Sequence, residues 1–172
     1  TIIKIALFGP ESTGKTTLAK QLAEYYETEW VPEFARDYLQ EKWEENQHIC
    51  TADDMMPIAY GQMALENEKI AEAKKYLFCD TNLMVTKVFS EVYYGFCDPL
   101  LNEAALKHDY DLFFLTDIDV PWEKDDIRDK AEGRETVFSV FKQTLIDNKK
   151  PFITLSGDKE TRLAKAVAII NN

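Results

Sequence analysis

The chain has 172 residues, which suits one domain with a sizeable core, and 45% of them are hydrophobic. Its net charge of -11 argues against nucleic acid or an anionic membrane as main partner, since both need a basic footprint. No run approaches the roughly 18 apolar residues that span a membrane, and Cys50, Cys79 and Cys97 form no C-x-x-C pattern, so free thiols in a reducing cytoplasm are expected.

Ile2 to Phe8 is a β-branched, nearly unbroken apolar run and reads as a buried parallel strand. The chain opens at Thr1 rather than Met and enters this strand directly, so no signal peptide is expected. Gly9-Pro10-Glu11-Ser12-Thr13-Gly14-Lys15-Thr16 follows and matches G-x-x-x-x-G-K-[ST]. Lys15 to about Tyr26 then reads as a helix with Leu18 and Leu22 on one face. Strand, glycine loop and helix are the arrangement that gathers loop amides and a helix N-terminus around phosphate oxygens. Gly9, Glu11, Ser12, Thr13, Gly14, Lys15, Thr16 and Thr17 are therefore the expected phosphate cradle. Lys15 supplies charge at the transferring phosphates, and the Thr16 hydroxyl is placed for magnesium.

Glu29 to Val31 is a short strand ending at Pro32-Glu33, and Phe34 to Glu45 looks helical. Thr51 or Asp53 can cap the next helix, expected from about Asp54 to Lys75 and broken in two by Pro57 and Gly61. Tyr76 to Asp80 is a strand ending in a carboxylate. Leu83 to Tyr94 is helical and closed by Gly95, and Leu100 to Lys107 is a short helix. Asp111 to Thr116 is a strand. The charged stretch from Glu123 to Glu135 reads as a lid, at about 122–135. A helix with Val137, Val140, Phe141, Thr144 and Leu145 on its core face, a strand over Pro151 to Leu155 and a helix opened by Asp158 complete the chain. This alternation predicts a three-layer α/β fold of the P-loop NTPase class. It has about five parallel strands, helices on both faces and one domain over 1–172.

Ligands in such sheets bind beyond the carboxyl ends of the strands. Asp80 is expected to hold magnesium. Glu33 faces the space beyond the terminal phosphate, where an acceptor hydroxyl is oriented or deprotonated, and Arg36 lies one turn on. Arg128 and Arg134 bring positive charge from the lid; Arg162 is a further candidate cation for phosphate. Trp30, Phe34, Tyr60 and Trp122 are candidates to stack on a heteroaromatic base. His48 and His108 have no metal-ligand spacing and read as surface or helix-end residues.

The segments GPESTGKTTLAKQLA, WVPEFARDYL, DTNLMVTKV with the following YYG, YDLFFL and VPWEKDDIRD occur in this order and span nearly the whole chain. They resemble the nicotinamide riboside kinase (ribosylnicotinamide kinase) domain of the NadR-like P-loop family. The resemblance implies transfer of the ATP γ-phosphate to the 5′-hydroxyl of nicotinamide riboside, with ATP and Mg2+ as cofactors, in the cytoplasm. It implies phosphate and magnesium roles for Lys15 and Thr16, an acceptor-site role for Glu33 and Arg36, a strand-end acid at Asp80 and a lid arginine at Arg128. Asn82 stands where the family usually has a second Asp, so a substrate contact there lacks its charge. Asp126 stands where the family's lid has a glycine. Nothing upstream of the first strand corresponds to the adenylyltransferase or DNA-binding parts of NadR, so neither dinucleotide synthesis nor repression is expected. Two other readings fit the residues alone: a kinase of another nucleoside or small alcohol, and a nucleotide-switch ATPase without a small-molecule acceptor. Either Glu33 or Asp80 can serve as the base, and no feature specifies an oligomeric state.

Overall fold

Strand alternation builds the molecule outward from β1 (Ile3–Phe8). In the computed structural model, which describes residues 1–119 and 133–172, Ile5 and Leu7 point to one face of the sheet and Ala6 and Phe8 to the other. Both faces are covered, which is why the strand shows no polar alternation. The remaining strands are β2 (Glu29–Val31), β3 (Tyr76–Cys79), β4 (Leu112–Thr116) and β5 (Phe152–Leu155). All pair in parallel, in the order β2-β3-β1-β4-β5. The expected fold class is met.

On one face lie α1 (Lys15–Tyr25) and α7 (Lys159–Ile170), packed through Leu18, Leu22 and Ala166 onto Ile5, Leu7, Phe78 and Phe114. On the other lie α2 (Phe34–Asn46), α3 (Met55–Glu72), α4 (Leu83–Tyr94), α5 (Pro99–Lys107) and α6 (Arg134–Asp147). Phe141 of α6 meets Phe8 edge-on with centroids 4.9 Å apart, and Phe8 meets Phe113 the same way at 5.6 Å. Helix starts follow side-chain caps where the sequence offers them. Asn82 accepts from the Val85 amide, Asp98 from Leu100 and Asp158 from Thr161. Among the described residues, no helix is long and apolar enough to cross a membrane.

The largest departure from expectation is α3, which is one helix and not two. Pro57 falls in its first turn, where an amide would lack an intrahelical acceptor anyway. Gly61 is a contact and not a break: a Cβ there would lie 2.2 Å from the Phe34 ring. The helix also ends sooner, at Glu72, because the chain must reverse through Lys75 (φ 66) to enter β3.

His108 ends α5, as expected of a helix-end residue, but it also belongs to a buried polar group. Glu66 of α3 accepts from Lys4 Nζ (3.4 Å), the Tyr110 hydroxyl and Cys79 Sγ (3.6 Å), and shares a hydrogen bond with His108 Nε2. Burial works to raise the Glu66 pKa. Bonds from His108 and Tyr110, with the charges of His108 and Lys4, outweigh burial and hold it below the ordinary glutamate value. The three cysteines are free, as expected.

Candidate active site

The connections after β1 and β3 leave toward opposite faces, α1 to one and α4 to the other. A crevice opens between them at the carboxyl ends of the two neighbouring strands. The glycine loop sits in it. Gly9 has φ 153 and lies so close to β4 that a Cβ would meet Thr116 Oγ1 at 2.7 Å. Thr13 Oγ1 donates to the Pro10 carbonyl (2.8 Å) and shares a 2.6 Å hydrogen bond with the Thr116 hydroxyl, which ties the loop to the sheet. Ser12 is held at φ 57, a conformation that costs a non-glycine residue about 1–3 kcal/mol and turns successive amides toward one centre.

Lys15 is buried, and its ammonium donates to the carbonyls of Gly9 and Pro10, both at 2.8 Å. The first amides of α1 have no intrahelical acceptors and face the same space. Thr16 Oγ1 donates to Asp80 Oδ2 at 2.6 Å. Asp80 follows β3, and its amide donates to the Val31 carbonyl (2.9 Å). Burial first, then repulsion from Glu33, pushes its carboxyl up to about 7, with a smaller push from Glu11. The Lys15 charge and the Thr16 hydrogen bond pull the other way. A group held this way is short of cationic charge. Among the described residues no cluster of three or more His, Cys, Asp or Glu forms a metal cage. The oxygens of Thr16 and Asp80 converge, and they fit a magnesium that takes its other ligands from phosphates and water.

Glu33 is the N-cap of α2, and Arg36 Nε lies 3.8 Å from its Oε1. A small recess of about 10 Å³ lies beside Glu33, lined by Met55 and Ile58 of α3 and by Thr81, Val85 and Phe89 around α4. Gln62 is a residue the sequence reading missed. Buried in α3, it donates through Nε2 to the Pro32 carbonyl (3.0 Å) and accepts at Oε1 from the Phe34 amide (2.9 Å). It therefore fixes the turn that carries Glu33. The available signal was a polar residue on the buried side of a helix, which needs a partner.

Several expected site residues fall elsewhere. Trp30 points to the α1 face, with Lys20 Nζ 5.5 Å from its ring centroid, because Val31 takes the pocket-side direction on this three-residue strand. Tyr60 is 65% exposed on α3, outside the pocket. Phe34 stacks on Tyr38 and covers Gly61. Asn82 is buried with Oδ1 spent on its helix cap, while Nδ2 has no partner among the described residues. Arg162 is not an open phosphate cation: its nitrogens donate to Thr13 O, Gly157 O, Asp117 O and Asp119 Oδ1. Arg134 opens α6 and donates to the Ser12 carbonyl at 3.3 Å. Trp122, Asp126, Arg128 and most of the expected lid lie outside the described residues. A second cavity, of about 510 Å³, adjoins the glycine loop between α1 and the loops after β4 and β5.

Known proteins share this fold. The chain is 25% identical over 169 residues to the trifunctional NAD biosynthesis/regulator protein NadR of Salmonella typhimurium, and equally to that of Escherichia coli. The match takes in 96% of this chain and spans 41% of the length of those relatives. Among solved structures, a NadR protein in complex with NR superposes with a TM-score of 0.77 at 21% identity, over 99% of this chain and 51% of that one. A deoxyadenosine kinase from M. mycoides superposes at 0.72 and 14% identity, over 98% and 99%. The fold is that of P-loop kinases. Residues 4–162 match the AAA domain family, and the chain belongs to that family.

Proposed function

We propose that the chain is a single kinase domain that transfers the γ-phosphate of ATP to the 5′-hydroxyl of nicotinamide riboside, giving nicotinamide mononucleotide. One observation carries the reading: among the described residues the glycine loop borders a cavity on its α1 side, and Thr81, next to Asp80, lines a second recess together with Glu33. On the α1 side lies a cavity within the roughly 300–1,000 Å³ range of small-ligand sites, suited to the base and ribose of a nucleotide. On the α2 side Glu33 lines a recess of about 10 Å³, one water in size, which must widen to admit an acceptor. A nucleotide switch needs only the first space. Likeness to NadR supports the choice of acceptor.

In this mechanism the loop amides and Lys15 hold the β- and γ-phosphates, with Lys15 exchanging its two carbonyl partners for phosphate oxygens. Thr16 and Asp80 would hold magnesium, which neutralises charge on the phosphates. Glu33 lines the acceptor pocket whereas Asp80 is engaged with Thr16, which favours Glu33 as the group that orients and deprotonates the 5′-hydroxyl. Arg134, which donates to the Ser12 carbonyl, adds positive charge beside the glycine loop, and the family resemblance gives Arg128 a like role. The test offers the protein magnesium–ATP with nicotinamide riboside, adenosine, deoxyadenosine and uridine, and weighs the products by mass spectrometry. The reading expects nicotinamide mononucleotide as the fastest product. Preferred phosphorylation of an uncharged nucleoside would replace it with the other-nucleoside kinase.

A further inference from the structure

The glycine loop and one wall of the donor cavity are held by the same buried cation. Arg162 of α7 is 2% exposed and reaches three separate segments. Its Nη1 donates to the carbonyl of Thr13 in the glycine loop. Its Nη2 donates to Asp117 O (3.0 Å) and Asp119 Oδ1 (2.6 Å) in the loop after β4. Its Nε donates to Gly157 O (3.0 Å) in the loop after β5. Asp119 closes the set by accepting from the Gly157 amide at 2.6 Å, and Ser156 Oγ donates to Asp117 Oδ2 at 2.7 Å. Burial works against the ionised Asp119, but the Gly157 amide and Arg162 more than offset it, so its carboxyl lies below the usual aspartate value.

The cavity has Gly14, Thr17 and Leu18 on one side and Asp119, Gly157 and Arg162 on the other. Gly14 is where the two meet: at φ 87, a Cβ there would lie 3.3 Å from Arg162 Nη1. A planar guanidinium with its donors fixed on three segments has little freedom to adjust to one of them alone. A base filling the cavity touches the Asp119 and Gly157 wall. The peptide that receives the Nη1 hydrogen bond, Thr13–Gly14, leads into the amides that would hold phosphate.

We propose that Arg162, oriented by Asp119, is a positioning residue that couples occupancy of the donor-base cavity to the shape of the glycine loop, so that the base strengthens phosphate binding through this guanidinium. This rests on the cavity being the site of the donor's base. Inorganic tripolyphosphate carries the phosphates without the base. The experiment measures, by calorimetry, the binding of magnesium–ATP and magnesium–tripolyphosphate to the wild type, Arg162→Lys and Asp119→Asn, with melting curves as a folding control. No acceptor is present, so failure to phosphorylate the riboside leaves the result intact. Lysine keeps the charge but cannot bridge three segments; asparagine keeps the shape but cannot accept at both positions.

The coupling reading expects the affinity advantage of ATP over tripolyphosphate to fall about tenfold in both variants, within the usual 5–150-fold range of site coupling, while tripolyphosphate binding changes little. Equal weakening of both ligands would overturn it and leave Arg162 as scaffolding for the loop. If Arg162→Lys does not fold, Asp119→Asn decides by the same ratio. A wild type that binds ATP no better than tripolyphosphate would also overturn it, since there would be no base contribution to transmit.

Discussion

Glu66 and Asp80 are both buried carboxylates, and the chain surrounds them in opposite ways. Glu66, packed toward the amino ends of β1 and β4, has Lys4, His108, Tyr110 and Cys79 around it and sits below its ordinary pKa. Asp80, at the carboxyl end of β3, has one hydroxyl bonded to its side chain and a neighbouring carboxylate, and is pushed up to about 7. Cys79 stands between them in sequence and touches the first. On the proposed reading, the difference separates a carboxylate satisfied by the chain itself from one left to be satisfied by a ligand. Perturbation toward the neutral form, beside a glycine loop, is the mark of the second kind.

The comparison breaks if the two sites respond alike to substitution. The largest expected effect lies in transfer. Glu33→Gln keeps shape and removes charge, and should slow nicotinamide mononucleotide formation by roughly 10²–10⁴ while nucleotide affinity holds. If ATP binding weakens and transfer at saturating ATP is normal, Glu33 belongs to the nucleotide site. Lys15→Ala should lower turnover by about 10²–10³ with the fold intact. A folded variant with near-normal turnover removes Lys15 from the mechanism. On the role that the family resemblance gives Arg128, Arg128→Ala should lower kcat more than it raises the riboside KM; a change in KM alone makes it a binding residue.

Stability should move in opposite directions at the two carboxylates. Glu66→Gln keeps one acceptor oxygen for Tyr110 and Cys79 but removes the charge and the second acceptor that face Lys4 and His108, and should cost roughly 3–5 kcal/mol in denaturant unfolding, with turnover per folded molecule unchanged. Asp80→Asn relieves burial and repulsion of a charge. The ligand-free protein should gain on the order of 1–3 kcal/mol at neutral pH while losing the stabilisation that magnesium–ATP brings to the wild type. A destabilised Asp80→Asn, or a neutral Glu66→Gln, would contradict the assignment of roles.

The smallest effect is a proton count, with opposite signs at the two groups. Asp80 has a folded pKa above its unfolded one, so the stability it contributes to the ligand-free protein is present near pH 4 and is lost as pH rises toward about 7. Glu66 has a depressed pKa, so its contribution is present above the ordinary glutamate value and is lost as pH falls. Binding of magnesium–ATP near pH 6 should therefore release a proton from Asp80, read as the buffer dependence of the calorimetric heat. Proton uptake would reverse the electrostatic account of the site.

Much of this layout was legible in the sequence because local chemistry carried it. Gly9 to Thr16 has one use between a buried strand and a helix, and Asp80 announces itself by ending an apolar run. Gly95 closes α4 by its left-handed backbone, and Asp158 opens α7 by its side-chain cap, both local devices. What was not legible depends on who meets whom. Trp30 could face either side of a strand three residues long, where no alternation fixes the phase. Gly61 looked like a break until Phe34 filled the space above it. Arg162 looked like a phosphate cation because its four acceptors come from three segments far apart in the chain. Gln62 and Glu66 matter through partners 13 to 62 residues away, which spacing along one helix does not reveal.

The central claim is that this site moves phosphate from ATP to a riboside bound beside Glu33. Its most direct test is ATP consumption by the wild-type protein with and without nicotinamide riboside, at fixed magnesium. The account predicts little turnover alone and, with riboside present, one nicotinamide mononucleotide formed per ATP consumed. Equal ATP consumption in both conditions, with no phosphorylated riboside, would contradict it and leave a nucleotide hydrolase in its place.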